Sequence, residues 1–131
     1  MEKKYNIIYA DPPWQYNKGV YQDNGRQDRL LSEQYPTMSK KEIEDLPIKN
    51  LTDKDCALFL WVTDSHLLNG LELMKKWGFT YKTIVFVWVK KTNKGNVCAN
   101  VGAWTMKNTE ICLLGTKGSM LKYKNKNNIF S

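Results

Sequence analysis

The fold is decided by the stretch CALFLWV at residues 56–62, a continuous apolar run without polar alternation. Such a run is typical of a strand that is covered on both faces in a parallel sheet, because a half-exposed strand alternates apolar and polar residues. We expect this strand to form the middle of the fold. The elements on either side of it in the sequence should therefore pack around it.

A helix is predicted directly after this strand. Thr63, Asp64 or Ser65 can cap its start, and Gly78 ends it. Its apolar positions recur at intervals of three and four residues and are Leu67, Leu68, Leu71, Met74 and Trp77. β-Branched and aromatic residues predict a second strand at 81–89, and the order strand, helix, strand makes a right-handed βαβ unit the default geometry.

Three further elements complete an α/β chain. Residues 5–10 form a short β-rich run that ends where two prolines follow, because these cannot continue a central strand. Ser39 followed by Glu42 is a capping-box pattern, which predicts a short helix that ends at Pro47. Residues 109–115 form the last strand, antiparallel to the one before it because no helical pattern separates the two.

The composition fits one domain that spans residues 1–131, or part of one. The chain is 42% apolar, which suffices for one sizeable core and is too little for two ordinary domains. The 20 Lys and Arg residues against 13 Asp and Glu give a net charge of +7, which favours nucleic acid as a polyanionic partner. Lys90, Lys91 and Lys94 follow a strand end and are candidates for phosphate contacts. The alternative is that they are only solvated surface charges.

The cysteines and the apolar runs indicate the compartment. Cys56, Cys98 and Cys112 are widely spaced, and only His66 is available to complete a ligand set, so we predict no metal site. Cys56 and Cys112 lie in apolar runs, where a free thiol behaves as a small buried apolar group; this fits a reducing compartment, and we expect the cytoplasm. The chain opens without a signal-peptide pattern and contains no run of roughly 18 apolar residues, so we predict no membrane partner.

Residues 15–37 are polar and lack periodicity. Gly19, Asn24, Gly25 and Pro36 are scattered through this segment. A connection of this length within a compact domain is usually functional, since most connections are much shorter. We predict that this segment is a mobile loop that recognises the target of the protein.

Four residues after the first strand carry the candidate chemistry: Asp11, Pro12, Pro13 and Trp14. They follow the carboxyl end of a predicted strand, where open α/β sheets place their ligands. Asp11 offers a carboxylate and Pro12 a main-chain carbonyl, and the prolines hold these acceptors in a fixed geometry that suits an exocyclic amine of adenine. Trp14 can stack on the base. The alternative is a strand-ending turn with Trp14 in the core.

These four residues resemble the DPPW signature of the MT-A70 family of adenine methyltransferases. Four further blocks resemble, in order and spacing, those that follow the signature in that family: YPTMS at 35–39, LFLWVT at 58–63, WVK at 88–90 and NTEICL at 108–113. The resemblance implies a Rossmann-like methyltransferase fold of permuted strand order. It also implies transfer of a methyl group from S-adenosylmethionine to the N6 amine of adenine in DNA, in a bacterial or phage setting, with RNA as the alternative.

The resemblance also assigns roles to residues. It implies that the four signature residues are catalytic and that Asp11 and Pro12 also contact the cofactor. It further implies that Tyr35 and Glu110 help line the pocket of the target adenosine, which the Trp14 ring would also contact if it stacks on the base.

Two tryptophans and one histidine are weaker candidates. Trp61 and Trp88 lie at strand ends near the same edge, and we predict that they form walls of the substrate pocket, although large aromatic residues also dominate cores. His66 lies beside Asp64 in the first helical turn, where a structural role is the usual one. The mechanism implied by the family requires no histidine.

The chain departs from the family pattern after residues 115–118. Members of the family continue with a His-Ser-x-Lys-Pro-like loop and a further strand that hold the cofactor, and neither follows here. We therefore expect a fold that is truncated at its C-terminus. Two alternatives stay open: a second copy or a partner chain supplies the missing strands, or the chain is a catalytically silent subunit that binds nucleic acid.

Overall fold

The structure is a computed structural model that describes residues 3–15, 36–99 and 104–123. Most of the predicted target loop at 15–37 lies outside the described residues, and so does Tyr35. The mobility of that loop and the role of Tyr35 therefore stay predictions.

The described strands form one mixed sheet. They are β1 (Tyr5–Ala10), β2 (Thr52–Val62), β3 (Thr80–Val89) and β4 (Thr109–Lys117), in the spatial order β1-β2-β4-β3. β1 is parallel to β2, and β4 is antiparallel to both of its neighbours. The predicted strands and the antiparallel last strand are thus confirmed. β2 and β3 run parallel to each other with β4 inserted between them.

The central strand β2 differs from its prediction in two respects. It was predicted to lie in a parallel sheet with both faces covered, but its neighbour β4 is antiparallel, and Phe59 and Trp61 are only half-buried. The reason is that no helix separates β3 from β4, so β4 folds back and takes the place beside β2. β2 also begins at Thr52, before the apolar run, because backbone pairing such as that of Thr52 with Tyr5 requires no apolar side chain.

Two short helices, α1 (Lys40–Glu44) and α2 (Ile48–Leu51), precede β2. The predicted capping box is confirmed at α1: the Glu42 amide donates to Ser39 Oγ at 3.2 Å, and the Ser39 amide donates to Glu42 Oε1 at 3.1 Å. α2 has no counterpart among the predicted elements, because a helix of a single turn is too short to show an apolar period.

The helix α3 (Leu67–Lys76) follows a 3₁₀ turn at Asp64–His66. Thr63 is the cap residue of that turn, and Gly78, with a φ of 92°, follows the end of the helix as predicted. In the part of the chain that the structure describes, no helix is long and apolar enough to cross a membrane.

α3 packs on one face of the sheet and forms the core there. The side chains that are almost completely buried include Leu58, Leu60, Leu73, Met74 and Leu113. Cys56 and Cys112 are buried free thiols, which confirms their predicted behaviour as apolar groups. The core therefore joins the central strands β2 and β4 to α3, and Ile43 of α1 belongs to the same cluster.

We expect Gly70→Ala to destabilise this packing. A Cβ atom at Gly70 would lie 2.4 Å from Cγ1 of Val62, and a branched side chain on a strand has little freedom to move. Overpacking costs about 1–3 kcal/mol, more than the ~0.8–1 kcal/mol that Ala gains over Gly in a helix. Urea unfolding of Gly70→Ala should therefore show a lower free energy of unfolding than the wild type. The control Leu68→Ala, at a 76% exposed position of α3, should have little effect on this free energy. Wild-type stability of Gly70→Ala would contradict this close approach.

The opposite face of the sheet carries exposed apolar side chains. Their exposed fractions lie between 46% and 68% for Ile7, Tyr9, Phe86 and Trp88. Phe59 stacks on Phe86 with ring centroids 6.2 Å apart, and the Trp61 indole N–H donates to the Tyr9 hydroxyl at 2.7 Å. The predicted partner that would complete the sheet stays a prediction.

Candidate active site

Several predicted site residues converge on one edge of the sheet. β1 and β2 are parallel, and Asp11 follows the last residue of β1 at their carboxyl edge. The antiparallel β4 begins at the same edge, where Glu110 pairs with Trp88 of β3, and Cys112 pairs with Trp61 of β2. The topology thus brings these side chains to one place, while their roles stay predictions.

A hydrogen-bonded turn holds residues 11–14 at this edge. The Trp14 amide donates to the Pro12 carbonyl at 2.9 Å, and the Met38 amide donates to the Pro13 carbonyl at 2.9 Å. A hydrogen bond between the carbonyl of residue i and the amide of residue i+2 defines a γ-turn. The Pro13 ring holds its φ at roughly −65°, which is close to the value of about −75° in an inverse γ-turn. The Pro12 carbonyl keeps a second lone pair for a ligand. The turn therefore presents a fixed acceptor next to Asp11.

Trp14 lies under this turn and not at the surface. Only 8% of it is exposed, and its ring stacks on His66 with centroids 5.2 Å apart and an angle of 11° between the planes. This is the core position that the sequence analysis named as the alternative to base stacking. Contact with a target base would require the ring to leave the core, so the predicted substrate role of Trp14 gains no support from this geometry.

A salt bridge joins Lys90, which follows β3, to Glu110 of β4. Its ammonium lies 3.1 Å from the Glu110 carboxylate and 5.1 Å from the centroid of the Trp88 ring. The side chain of Lys90 is 32% exposed and that of Glu110 is 25% exposed, so the ion pair is partly buried. Lys90 is thus committed to Glu110, and the exposed Lys91 and Lys94 are the better candidates for phosphate contacts.

Asp11 differs electrostatically from an ordinary surface carboxylate. Partial burial at the sheet edge raises the pKa of Asp11, and the negative charge of Glu110 raises it further. A raised pKa makes the ionised carboxylate a stronger hydrogen-bond acceptor, and a cation near both carboxylates would relieve their repulsion. The site therefore combines an acidic centre with the fixed carbonyl of Pro12.

A family model described as MT-A70 matches residues 5–130. The chain belongs to the MT-A70 family. Its mixed α/β sheet is consistent with a partial Rossmann-like methyltransferase domain, as the sequence analysis predicted.

This MT-A70 chain is similar to bacterial and eukaryotic proteins. It is 36% identical over 130 residues to the type II methyltransferase M.MunI of Mycoplasma, with 90% of this chain and 53% of that protein covered. It is 30% identical over 118 residues to the human N(6)-adenosine-methyltransferase catalytic subunit METTL3, with 88% and 18% covered. Identity to the non-catalytic subunit MTB of Arabidopsis thaliana is 34% over 122 residues, with 89% and 15% covered. The chain thus spans about half of the bacterial relative and less than a fifth of the other two.

Lys107 is a residue near the site that no sequence pattern revealed. Its ammonium donates to the Asp64 carboxylate at 2.9 Å and to Ser65 Oγ at 3.4 Å. The hydrogen bond from Lys107 to Asp64 lowers the pKa of Asp64. Burial lowers the pKa of His66, and the charge of Lys107 lowers it further, against the opposing effect of Asp64. Both effects favour the neutral imidazole, which suits the buried place of His66 against the Trp14 ring.

Proposed function

We propose that this chain is the catalytic part of an adenine-N6 methyltransferase that uses S-adenosylmethionine and acts on DNA. The observation that carries the proposal is the turn at residues 11–14, which fixes the carbonyl of Pro12, the residue directly after Asp11, at the sheet edge. Membership of the MT-A70 family supports the same reaction.

The chemistry of the target amine explains why two acceptors are needed. The lone pair of the adenine N6 amine is delocalised into the ring, so the amine is a poor nucleophile. Hydrogen bonds from its two N–H groups to Asp11 and Pro12 would localise the lone pair and stabilise the positive charge that develops on nitrogen. Because the turn fixes the Pro12 carbonyl in advance, this acceptor needs little reorganisation during the reaction.

The residues at the edge suit a cationic cofactor. Burial raises the pKa of Asp11, and the negative charge of Glu110 raises it further, so positive charge bound near both carboxylates would be stabilised. S-Adenosylmethionine supplies a methyl group on a positively charged sulfur. We assign Asp11 and Pro12 to the cofactor as well as to the amine, and we assign Glu110, Trp61 and Trp88 to the adenine pocket.

DNA is the proposed acceptor because of the likeness to the type II methyltransferase, of which this chain covers a larger share than of the two eukaryotic relatives. The net charge of +7 and the exposed Lys91 and Lys94 favour contacts with phosphates. RNA is the alternative acceptor, since the chain is also similar to an N(6)-adenosine-methyltransferase.

A comparison of acceptors tests this choice. The purified chain is incubated with methyl-labelled S-adenosylmethionine and equal amounts of duplex DNA, single-stranded DNA or single-stranded RNA of random sequence. We expect label in DNA, and we expect none in a matched DNA whose adenine is replaced by purine, which lacks the amine. Label in RNA alone would replace the DNA proposal with the RNA one.

A non-catalytic subunit is the second candidate, because the chain is 34% identical to a protein named as one. Calorimetry with S-adenosylmethionine separates the two candidates. Binding of the cofactor to the purified chain supports the enzyme. Binding of nucleic acid without binding of cofactor supports the silent subunit.

The pH dependence of the rate should reflect the two carboxylates. Asp11 must be ionised to accept the hydrogen bond, so activity should fall as the pH decreases through its raised pKa. Glu110→Gln should move this acid limb of kcat/KM to lower pH, because it removes the neighbouring negative charge. The movement should be partial, since burial is the larger cause and persists. Asp53→Asn, at the start of β2, should leave the limb unchanged; an unchanged limb in Glu110→Gln would contradict the coupling.

A further inference from the structure

We propose that His66 is a positioning residue of the site, since its imidazole supports the Trp14 ring and thereby fixes the Pro12 carbonyl. The inference rests on the proposed methyl transfer for its effect on rate. It assigns a role to a residue that the reaction itself does not require.

The contact between His66 and Trp14 is a close and nearly parallel ring stack. The centroids lie 5.2 Å apart with 11° between the planes, and the two residues are 7% and 8% exposed. Rings in this offset arrangement attract each other and resist tilting. His66 is itself held in place, because its amide donates to the Thr63 carbonyl at 3.1 Å and its Nδ1 lies 3.3 Å from Asn69 Nδ2. The imidazole therefore forms a fixed platform below the Trp14 ring.

Trp14 passes this support to the turn through its main chain. Its amide is the donor to the Pro12 carbonyl, and Trp14 also forms a parallel bridge with Met38, whose amide donates to the Pro13 carbonyl. A tilt of the Trp14 ring would move the amide that orients Pro12. A displacement of about 1 Å in a catalytic group can lower a rate about a hundredfold.

The flat ring is the property of His66 that this role uses. His66→Phe retains a flat ring, His66→Leu retains bulk without one, and His66→Ala removes both. Phenylalanine at this position should therefore support the Trp14 ring as histidine does, whereas leucine and alanine should not. Leu68→Ala, at a 76% exposed position two residues further along the chain, is the matched control.

Two measurements test the role, of which one needs no activity. In His66→Ala and His66→Leu, kcat for methyl transfer should fall about tenfold to a hundredfold with KM little changed, because the Pro12 carbonyl is displaced. The Trp14 amide should exchange its hydrogen about tenfold faster, while the amides of β4 exchange as in the wild type and show that the fold is intact. His66→Phe and Leu68→Ala should behave as the wild type in both measurements.

The outcomes separate this inference from the proposed function. Wild-type exchange of the Trp14 amide in His66→Ala and His66→Leu overturns the inference, and so does faster exchange with an unchanged kcat. Equal behaviour of His66→Leu and His66→Phe also overturns it, even if His66→Ala fails to fold. If the wild-type chain transfers no methyl group, the proposed function fails, and the exchange of the Trp14 amide alone decides on His66.

Discussion

Asp11→Asn should reduce methyl transfer about a hundred- to a thousandfold, with little change in nucleic-acid affinity. The amide keeps an acceptor oxygen and the shape of the turn, but it loses the negative charge that stabilises the developing positive amine. Loss of one such preorganised electrostatic partner costs about 2.7–4 kcal/mol in the transition state. Single-turnover rates and equilibrium binding of the same DNA measure the two quantities separately.

Asp53→Asn is the matched control for this substitution. Asp53 is an exposed carboxylate near the start of β2, at the end of the sheet opposite to Asp11. The substitution Asp53→Asn removes one negative charge, as Asp11→Asn does, but it should leave the rate of methyl transfer and the nucleic-acid affinity unchanged. A near wild-type rate in Asp11→Asn would show that residues 11–14 form only a strand-ending turn.

Trp14→Ala should destabilise the fold by about 3–5 kcal/mol, because it deletes a buried aromatic ring. The ring is 8% exposed and stacks on His66, so its removal leaves a cavity beneath the turn. The loss is a large part of the roughly 5–15 kcal/mol by which a typical domain is stable. Urea unfolding followed by circular dichroism measures it.

Trp104→Ala provides the comparison, since Trp104 is 98% exposed. This substitution should change the free energy of unfolding by no more than about 0.5 kcal/mol. Equal stability of the Trp14→Ala and Trp104→Ala chains would mean that Trp14 is not a core residue in solution. Base stacking by Trp14 would then be the better explanation of its place in the signature.

Elements with local signals were predictable from the sequence, and so was the antiparallel pairing of β3 with β4, but the complete strand order was not. α3 combines an apolar period with Gly78 at its end, and β1 is closed by two prolines, so both were predicted with nearly correct bounds. The insertion of β4 between β2 and β3 depends on pairing between residues far apart in the chain, for which no local pattern exists.

The candidate site divides in the same way. Asp11 could be placed from the sequence because it follows the carboxyl end of β1, where open α/β sheets bind ligands. Glu110 reaches the same edge because it opens β4, which is antiparallel to its neighbours. The sequence left open whether Trp14 is buried or stacks on a base, and the pairing of Lys90 was not predictable. Each depends on a partner that is distant in sequence, namely His66 for Trp14 and Glu110 for Lys90.

The central claim is that this chain methylates the N6 amine of adenine, and analysis of the product tests it most directly. Unmethylated genomic DNA is incubated with S-adenosylmethionine that carries a deuterated methyl group, digested to nucleosides and analysed by mass spectrometry. We predict deuterated N6-methyldeoxyadenosine from the wild-type chain and little or none from Asp11→Asn. Deuterated methyl on cytosine or on a ring nitrogen of adenine, or equal product from Asp11→Asn, would contradict the claim.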